Sequence, residues 1–137
     1  MMADYPYCNI YYKTHDTALH AQEFIHMANQ VWPGKYNSLY TQEALTRTIN
    51  TTAWDDTKLV GCVRVLTDGY FFGTITEILV LPEYQKFGIG KALMELAFET
   101  SPTSLFFGAQ PQAVGFYEKL GYEKSLQSFA KKKQRRE

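Results

Sequence analysis

Leu79-Val80-Leu81-Pro82-Glu83-Tyr84-Gln85-Lys86-Phe87-Gly88-Ile89-Gly90-Lys91 is the stretch from which the rest of this chain can be read. An apolar strand-like run stops at Pro82, and a Gly-x-Gly loop opens directly into a segment with helical apolar spacing, Ala92, Leu93, Leu96 and Ala97. Glycines let a ligand approach the backbone closely. The first amides of the helix have no intrahelical partner and lie at the positive end of its dipole. Lys86 and Lys91 add positive charge. Together these features predict a site for a pyrophosphate. The two common phosphate loops do not fit: Lys91 is followed by Ala92 where a Walker loop needs Ser or Thr, and no third glycine completes a dinucleotide fingerprint.

Working outward, the elements alternate. Cys8 to Lys13 reads as a strand, and Asp16 or Thr17 as the cap of a helix reaching about Val31, with Ala18, Phe24, Ile25, Ala28 and Val31 as its apolar stripe. Trp32-Pro33-Gly34 stops it, and Thr41 opens a second helix with Ala44, Leu45 and Ile49 inward. Thr51 to Trp54 and Leu59 to Leu66 form a hairpin about Asp55 to Lys58, and Tyr70 to Leu81 is a third, longer strand. A helix from about Ile89 to Glu99 follows, then a short strand from Ser104 to Ala109. A helix from Gln112 to Leu120 is closed by Gly121, and a last strand candidate runs from Tyr122 to Phe129. The order β-α-α-β-β-β-α-β-α-β predicts one domain over residues 1–137. Its fold class is mixed α/β (α+β), a mostly antiparallel sheet of about six strands with helices on both faces.

Two motifs carry a family resemblance. Val80, Pro82, Tyr84, Gln85, Gly88 and Gly90 match a Val-x-Pro-x-Tyr strand end followed by Gln/Arg-x-x-Gly-x-Gly/Ala. Gln110-Pro111-Gln112-Ala113-Val114-Gly115-Phe116-Tyr117-Glu118-Lys119-Leu120-Gly121-Tyr122 is similar to Asn-x-x-Ala-x-x-Phe-Tyr-x-x-x-Gly-Phe, with Gln110 in place of the asparagine. In order and spacing they resemble the GNAT superfamily of acetyl-CoA-dependent N-acetyltransferases. Gly61 to Asp68 and Ser104 to Phe107 look like small bacterial and plastid members.

The resemblance implies acetyl transfer from acetyl-CoA to a primary amine of a small molecule or peptide, directly within a ternary complex. An idle acyl-CoA-binding regulatory module is the alternative. Leu79, Val80 and Leu81 would pair their backbone with the pantetheine arm of coenzyme A. Gln85, Lys86, Phe87, Gly88, Ile89, Gly90 and Lys91 would hold its pyrophosphate. The strands starting at Glu77 and Ser104 would splay to admit the arm, and amides near Leu79 and Val80 would polarise the thioester carbonyl. Tyr117 would protonate the departing thiolate, and Gln110 and Tyr117 would touch the cofactor. The loop between the first two helices, with Trp32, Tyr36 and Tyr40, borders the acceptor pocket in this superfamily, and Trp54, Arg64 and Tyr70 are further candidates for its wall. Relatives usually complete two strands after the Gly-Phe pair. Only Tyr122 to Phe129 is available here, so the last strand is expected to be short, absent or supplied by a partner chain in a homodimer.

The residues themselves add a candidate base. Glu77 is a charge inside Thr74-Ile75-Thr76-Glu77-Ile78-Leu79-Val80, otherwise a buried-type strand, and a buried carboxylate without a purpose is costly. An amine must lose a proton before it attacks, and a carboxylate can accept it; an acid anchored by local hydrogen bonds is the plainer alternative.

Composition bounds the rest. With 45% hydrophobic and 15% aromatic residues, the chain has material for one packed core. No apolar run is long enough for a membrane helix, and no signal peptide is expected at Met1 to Pro6, so a cytoplasmic setting follows. Cys8 and Cys62 have no metal-like spacing, and His15, His20 and His26 show no ligand pattern, so no metal is expected. Cys62 is also a conceivable acyl carrier. The formal net charge is zero, but a basic tail over about 130–137 hides an acidic body. Without residues 131–137, nine basic residues face 13 acidic ones, a balance that favours cationic acceptors. The tail itself reads as a solvated end, with no nucleic-acid partner expected.

Overall fold

Asp56 and Thr57 turn the chain back on itself between β2 (Ile49–Asp55) and β3 (Lys58–Thr67), and this hairpin is the centre of the sheet. The structure is a computed structural model that describes residues 9–136, so Cys8 lies outside the described residues. β1 (Ile10–Lys13) lines up antiparallel with β2, and β4 (Gly73–Val80) antiparallel with β3, giving the order β1-β2-β3-β4. α1 (Ala21–Val31) and α2 (Ser38–Thr46) lie between β1 and β2 in the chain. α3 (Ile89–Thr100) follows β4 through a 3₁₀ turn at Pro82–Tyr84, and α4 (Val114–Lys119) follows another at Pro111–Ala113.

Alternation along β3 divides the two faces of the sheet. A Cβ at Gly61 would lie 3.1 Å from Leu93 Cδ1 and 3.4 Å from Ile89 Cγ2, so this residue faces α3, and glycine here lets the helix sit tight on the sheet. Arg64, of opposite parity, lies over the Phe24 ring of α1. Helices therefore cover both faces, as expected, with Val63, Val65, Ile89, Leu93 and Met94 almost wholly buried. Each such side chain contributes roughly 1.5–3 kcal/mol relative to an exposed one.

The observed boundaries differ from the sequence reading where polar side chains take other work. Asp16 does not cap α1. It is buried, its Oδ2 accepts from Thr52 Oγ1 at 2.8 Å and its Oδ1 from the Ala18 amide at 3.1 Å. This staple to β2 uses up residues 14–20, and α1 starts at Ala21. α2 begins three residues before Thr41 because Asn37 caps it, its Oδ1 accepting from the Tyr40 amide at 2.9 Å; Ile49 belongs to β2. Asp68 Oδ1 accepts from the amides of Tyr70, Phe71 and Phe72, holding them in a loop, so β4 starts at Gly73 rather than Tyr70. Those three bonds hold the Asp68 carboxyl below its ordinary value.

The strand count also changes. Ser104 to Ala109 contributes one parallel bridge, Thr74 to Phe106, and no strand follows Tyr122 among the described residues. Among the described residues the sheet has four strands and this bridge instead of about six strands. Gly121 closes α4 as expected, in the left-handed region at φ 85°, with the Tyr122 amide donating to the Tyr117 carbonyl at 3.1 Å.

Candidate active site

The outer edge of β4 is covered at one end only. Phe106 donates its amide to the Gly73 carbonyl at 2.9 Å and accepts from the Ile75 amide at 3.3 Å, and no bridge continues beyond this point among the described residues. Backbone pairing between the two segments therefore ends at Phe106 among the described residues. On the inner edge, the Leu81 amide donates to the Val60 carbonyl at 2.9 Å, and Leu79 stands opposite Cys62. Antiparallel alternation then turns the backbone of Leu79 and Leu81 toward β3 and that of Ile78 and Val80 toward the open edge. Of the three residues expected to present backbone there, only Val80 does, and Ile78 joins it.

The loop after β4 is held by its own glutamine. Gln85 Nε2 donates to the Val80 carbonyl at 2.9 Å, which ties the loop to the strand end. Lys86 and Gly88 have positive φ, 70° and 86°. Gly88 is the N-cap of α3, and nothing lies within 4 Å of where its Cβ would be, so the requirement for glycine there is conformational rather than spatial. The first intrahelical bond of α3 comes from the Ala92 amide to the Gly88 carbonyl at 3.0 Å. Ile89, Gly90 and Lys91 thus precede the ladder, and their amides lie at the positive end of the dipole. A Cβ at Gly90 would sit 3.5 Å from Phe116 Cζ, so α4 packs over the start of α3.

On the α1 face, a cavity of about 380 Å³ opens between the α1–α2 connection and the strands. Trp32, Tyr36 and Tyr40 line one side, and Arg64, Glu77 and Leu79 the other. Arg64 and Glu77 are direct cross-strand partners beside an irregularity in the β3–β4 register, so their side chains project from the same face. They form a two-pronged ion pair, Nη2 to Oε1 at 3.1 Å and Nε to Oε2, with both side chains 17% exposed. Among the described residues, Glu77 is the only carboxylate in this wall.

Not every expected wall residue is present. Trp54 is buried on β2, its Nε1 donating to Thr52 Oγ1 at 2.7 Å, with Lys13 over its ring. Tyr70 stands 80% exposed in the β3–β4 loop. Neither lines the cavity. Two residues read as part of a solvated end do line it, Arg135 and Arg136. No periodicity or motif marked them in the sequence.

Tyr117 sits on α4 in an aromatic cluster, its ring 4.9 Å from that of Phe107, 5.1 Å from Phe116 and 6.2 Å from Tyr122. Burial, and secondly Tyr122, raises its phenol above the ordinary value, so it remains a proton donor across the neutral range. It adjoins the loop through Phe116 and does not line the cavity. Gln110 is exposed at the N-cap of the 3₁₀ turn, where its side chain makes no capping bond. Cys62 is buried, and its thiol is pushed far above the thiol range by burial first and by Glu77 second. A thiol held protonated in this way is a poor nucleophile. Among the described residues, no group of three or more His, Cys, Asp or Glu could hold a metal ion, and no helix is long and apolar enough to cross a membrane.

The chain's sequence and fold have counterparts in known proteins. GCN5-related N-acetyltransferase 2, chloroplastic, of Arabidopsis thaliana is 44% identical over 72 residues, 48% of this chain and 27% of that protein. The matched stretch spans well under half the length of the curated relatives at the head of the comparison, 27–42%. The GNAT-family acetyltransferase of Streptococcus pneumoniae superposes with a TM-score of 0.72 at 24% identity, over 90% of this chain and 99% of that one. An aminoglycoside N-acetyltransferase solved in complex with CoA superposes with a TM-score of 0.69 at 14% identity, over 92% and 95%. These two likenesses confirm the fold. The model of the acetyltransferase (GNAT) domain matches residues 48–124, which contain β4, the glycine loop, α3 and Tyr117, and the chain belongs to that family.

Proposed function

We propose that this chain is an N-acetyltransferase that transfers an acetyl group from acetyl-CoA to a primary amine. The observation that carries the reading is the continuity of the open edge of β4 with the glycine loop and the start of α3. An extended pantetheine arm needs backbone partners along one edge, and Ile78 and Val80 offer them. A pyrophosphate needs unpaired amides and positive charge, and Ile89, Gly90 and Lys91 offer both beside Lys86. The site residues thus fit the group, and the CoA complex of a neighbour of the same fold agrees with this use.

Acetyl-CoA supplies an activated acetyl group, whose thioester C–S bond breaks as the N–C bond to the amine forms. The chain's own residues act around that exchange. The Val80 amide at the open edge stabilises charge developing on the carbonyl oxygen. Glu77 is the proton acceptor for the amine, through water, since it is the one carboxylate in the cavity wall among the described residues. Tyr117 is the proton donor to the leaving sulfur, with its phenol protonated at neutral pH. The inaccessible, protonated Cys62 argues for direct transfer rather than a relay through a thiol. A reducing compartment such as the cytoplasm fits this free cysteine.

Tyr117→Phe tests the assignment, since it removes one hydroxyl and keeps the ring that packs on Phe107. CoA release with an amine panel should fall about 10²–10⁴-fold while acetyl-CoA binding changes little. Full turnover in that protein would exclude Tyr117 as the acid. Turnover by neither protein, with acetyl-CoA bound by both, would favour an idle acyl-CoA-binding module.

A further inference from the structure

The cavity that the proposed function assigns to the acceptor is already partly filled by the chain itself. The Arg136 guanidinium lies 4.1 Å from the centroid of the Tyr40 ring, and that of Arg135 lies 5.2 Å from the centroid of Tyr36. Both distances are within the range of a cation–π contact. The two rings are set in place by the local fold. Tyr36 donates its hydroxyl to the Trp32 carbonyl at 2.7 Å, and Tyr40 lies in the first turn of α2, fixed by the Asn37 cap.

Apart from the Trp32 face, the wall has little else among the described residues with which to recognise a cation. Its only carboxylate among the described residues, Glu77, is already engaged by Arg64 on both oxygens. Recognition therefore falls to the faces of Tyr36 and Tyr40, with attraction at longer range from the acidic remainder of the chain. The segment seated there carries Lys131, Lys132 and Lys133 just ahead of the two arginines. A guanidinium stays protonated at any working pH and has no free lone pair for acyl transfer. It can hold this place without consuming the acetyl group.

We propose that the cavity is a recognition site for basic peptide segments, and that Arg135 and Arg136 occupy it from within as non-reacting competitors. The inference rests on the acceptor-site reading above and narrows it to a substrate class. A peptide acceptor presents an arginine or lysine to the Tyr36 and Tyr40 faces, which holds a neighbouring lysine near the Arg64–Glu77 wall. The chain's own segment must leave before that peptide can enter.

The test is a binding measurement on the full chain that needs no turnover. A fluorescein-labelled synthetic peptide with the sequence of residues 129–136 is titrated by anisotropy into the unaltered protein and into Arg135→Ala/Arg136→Ala. With two ring–cation contacts released, the substituted protein should bind about 5- to 30-fold more tightly. In that background Tyr40→Leu should weaken binding several-fold, and Tyr40→Phe, which keeps the ring, should restore it. Equal affinity of the unaltered and doubly substituted proteins would overturn the proposal. So would equal binding of a peptide whose basic residues are all replaced by alanine. Thermal melts of each variant identify any that fail to fold, and Tyr40→Phe then carries the comparison. A parallel acetyl-CoA titration separates the two readings: peptide binding that depends on Tyr40 without acetyl-CoA binding would support the basic-peptide site and remove the acetyltransferase reading.

Discussion

Gly88 and Gly90 lie two residues apart in one loop, yet the structure assigns them opposite costs. Gly88 has φ 86° and ψ 2°, and an added Cβ would meet nothing within 4 Å. Alanine there pays only for the left-handed conformation, about 1–2 kcal/mol. For a domain of this size that corresponds to a fall in Tm of roughly 3–10 °C. Gly90 is inside α3, where an added Cβ would make an ordinary 3.5 Å contact with Phe116. Alanine there should leave stability unchanged or raise it by up to about 1 kcal/mol through helix propensity. For acetyl-CoA the two should act alike, because each disturbs the approach of a phosphate to the first amides of α3. Losing one charge-assisted hydrogen bond costs roughly 1.5–3 kcal/mol, so affinity should fall about 10- to 100-fold. The assay is calorimetric titration with acetyl-CoA beside a thermal melt of each variant. Gly90→Ala that binds acetyl-CoA as tightly as the unaltered protein would refute the close-approach argument. Gly88→Ala with an unchanged Tm would refute the conformational one.

Two further perturbations address the buried charges. Glu77→Gln leaves the Arg64 guanidinium partly buried without a counter-charge, so urea denaturation should show a loss of about 1–3 kcal/mol. Arg64→Met/Glu77→Gln should lose less than the sum of the single changes. If Glu77 accepts the amine proton, the same Glu77→Gln protein should release CoA about 10²–10⁴-fold more slowly while still binding acetyl-CoA, and full turnover would exclude that role. Cys62 makes a prediction about alkaline pH. Its folded thiol is held far above the ordinary value of 9.0, so the unfolded chain ionises first and binds fewer protons. The stability this contributes is complete below about pH 9 and is lost as pH rises, by up to about 1.4 kcal/mol per pH unit. Denaturation at pH 8.5–10 should show that slope, and Cys62→Ala should remove it; equal slopes would refute it.

The sequence was most informative where one residue type answers one geometric need. The proline that ends β4, the left-handed glycine before α3 and the glycine that closes α4 each fix a backbone event, so the loop and its flanking elements were legible. Residues whose role depends on a distant partner were not. Asp16 reads as a helix cap, and only the fold shows Thr52 beside it. Trp54 and Tyr70 read equally well as wall or as core or loop packing, because strand parity relative to a cavity cannot be assigned before the register is known. The missing strands have a similar cause. Ser104 to Ala109 has strand composition, but a single bridge with β4 at Phe106 is all it forms among the described residues. The end of that pairing leaves the β4 edge on which the proposed cofactor site depends. Arg135 and Arg136 were hidden because a charge run looks the same in solution or over two tyrosine rings.

The most direct test of the central claim is a calorimetric titration of the full chain with acetyl-CoA. Saturable 1:1 binding with a Kd on the order of 1–100 µM, weakened about 10- to 100-fold by Gly90→Ala without loss of stability, is the result predicted here. No heat of binding up to about 1 mM acetyl-CoA, far above that range, would contradict the assignment of the β4 edge and the glycine loop.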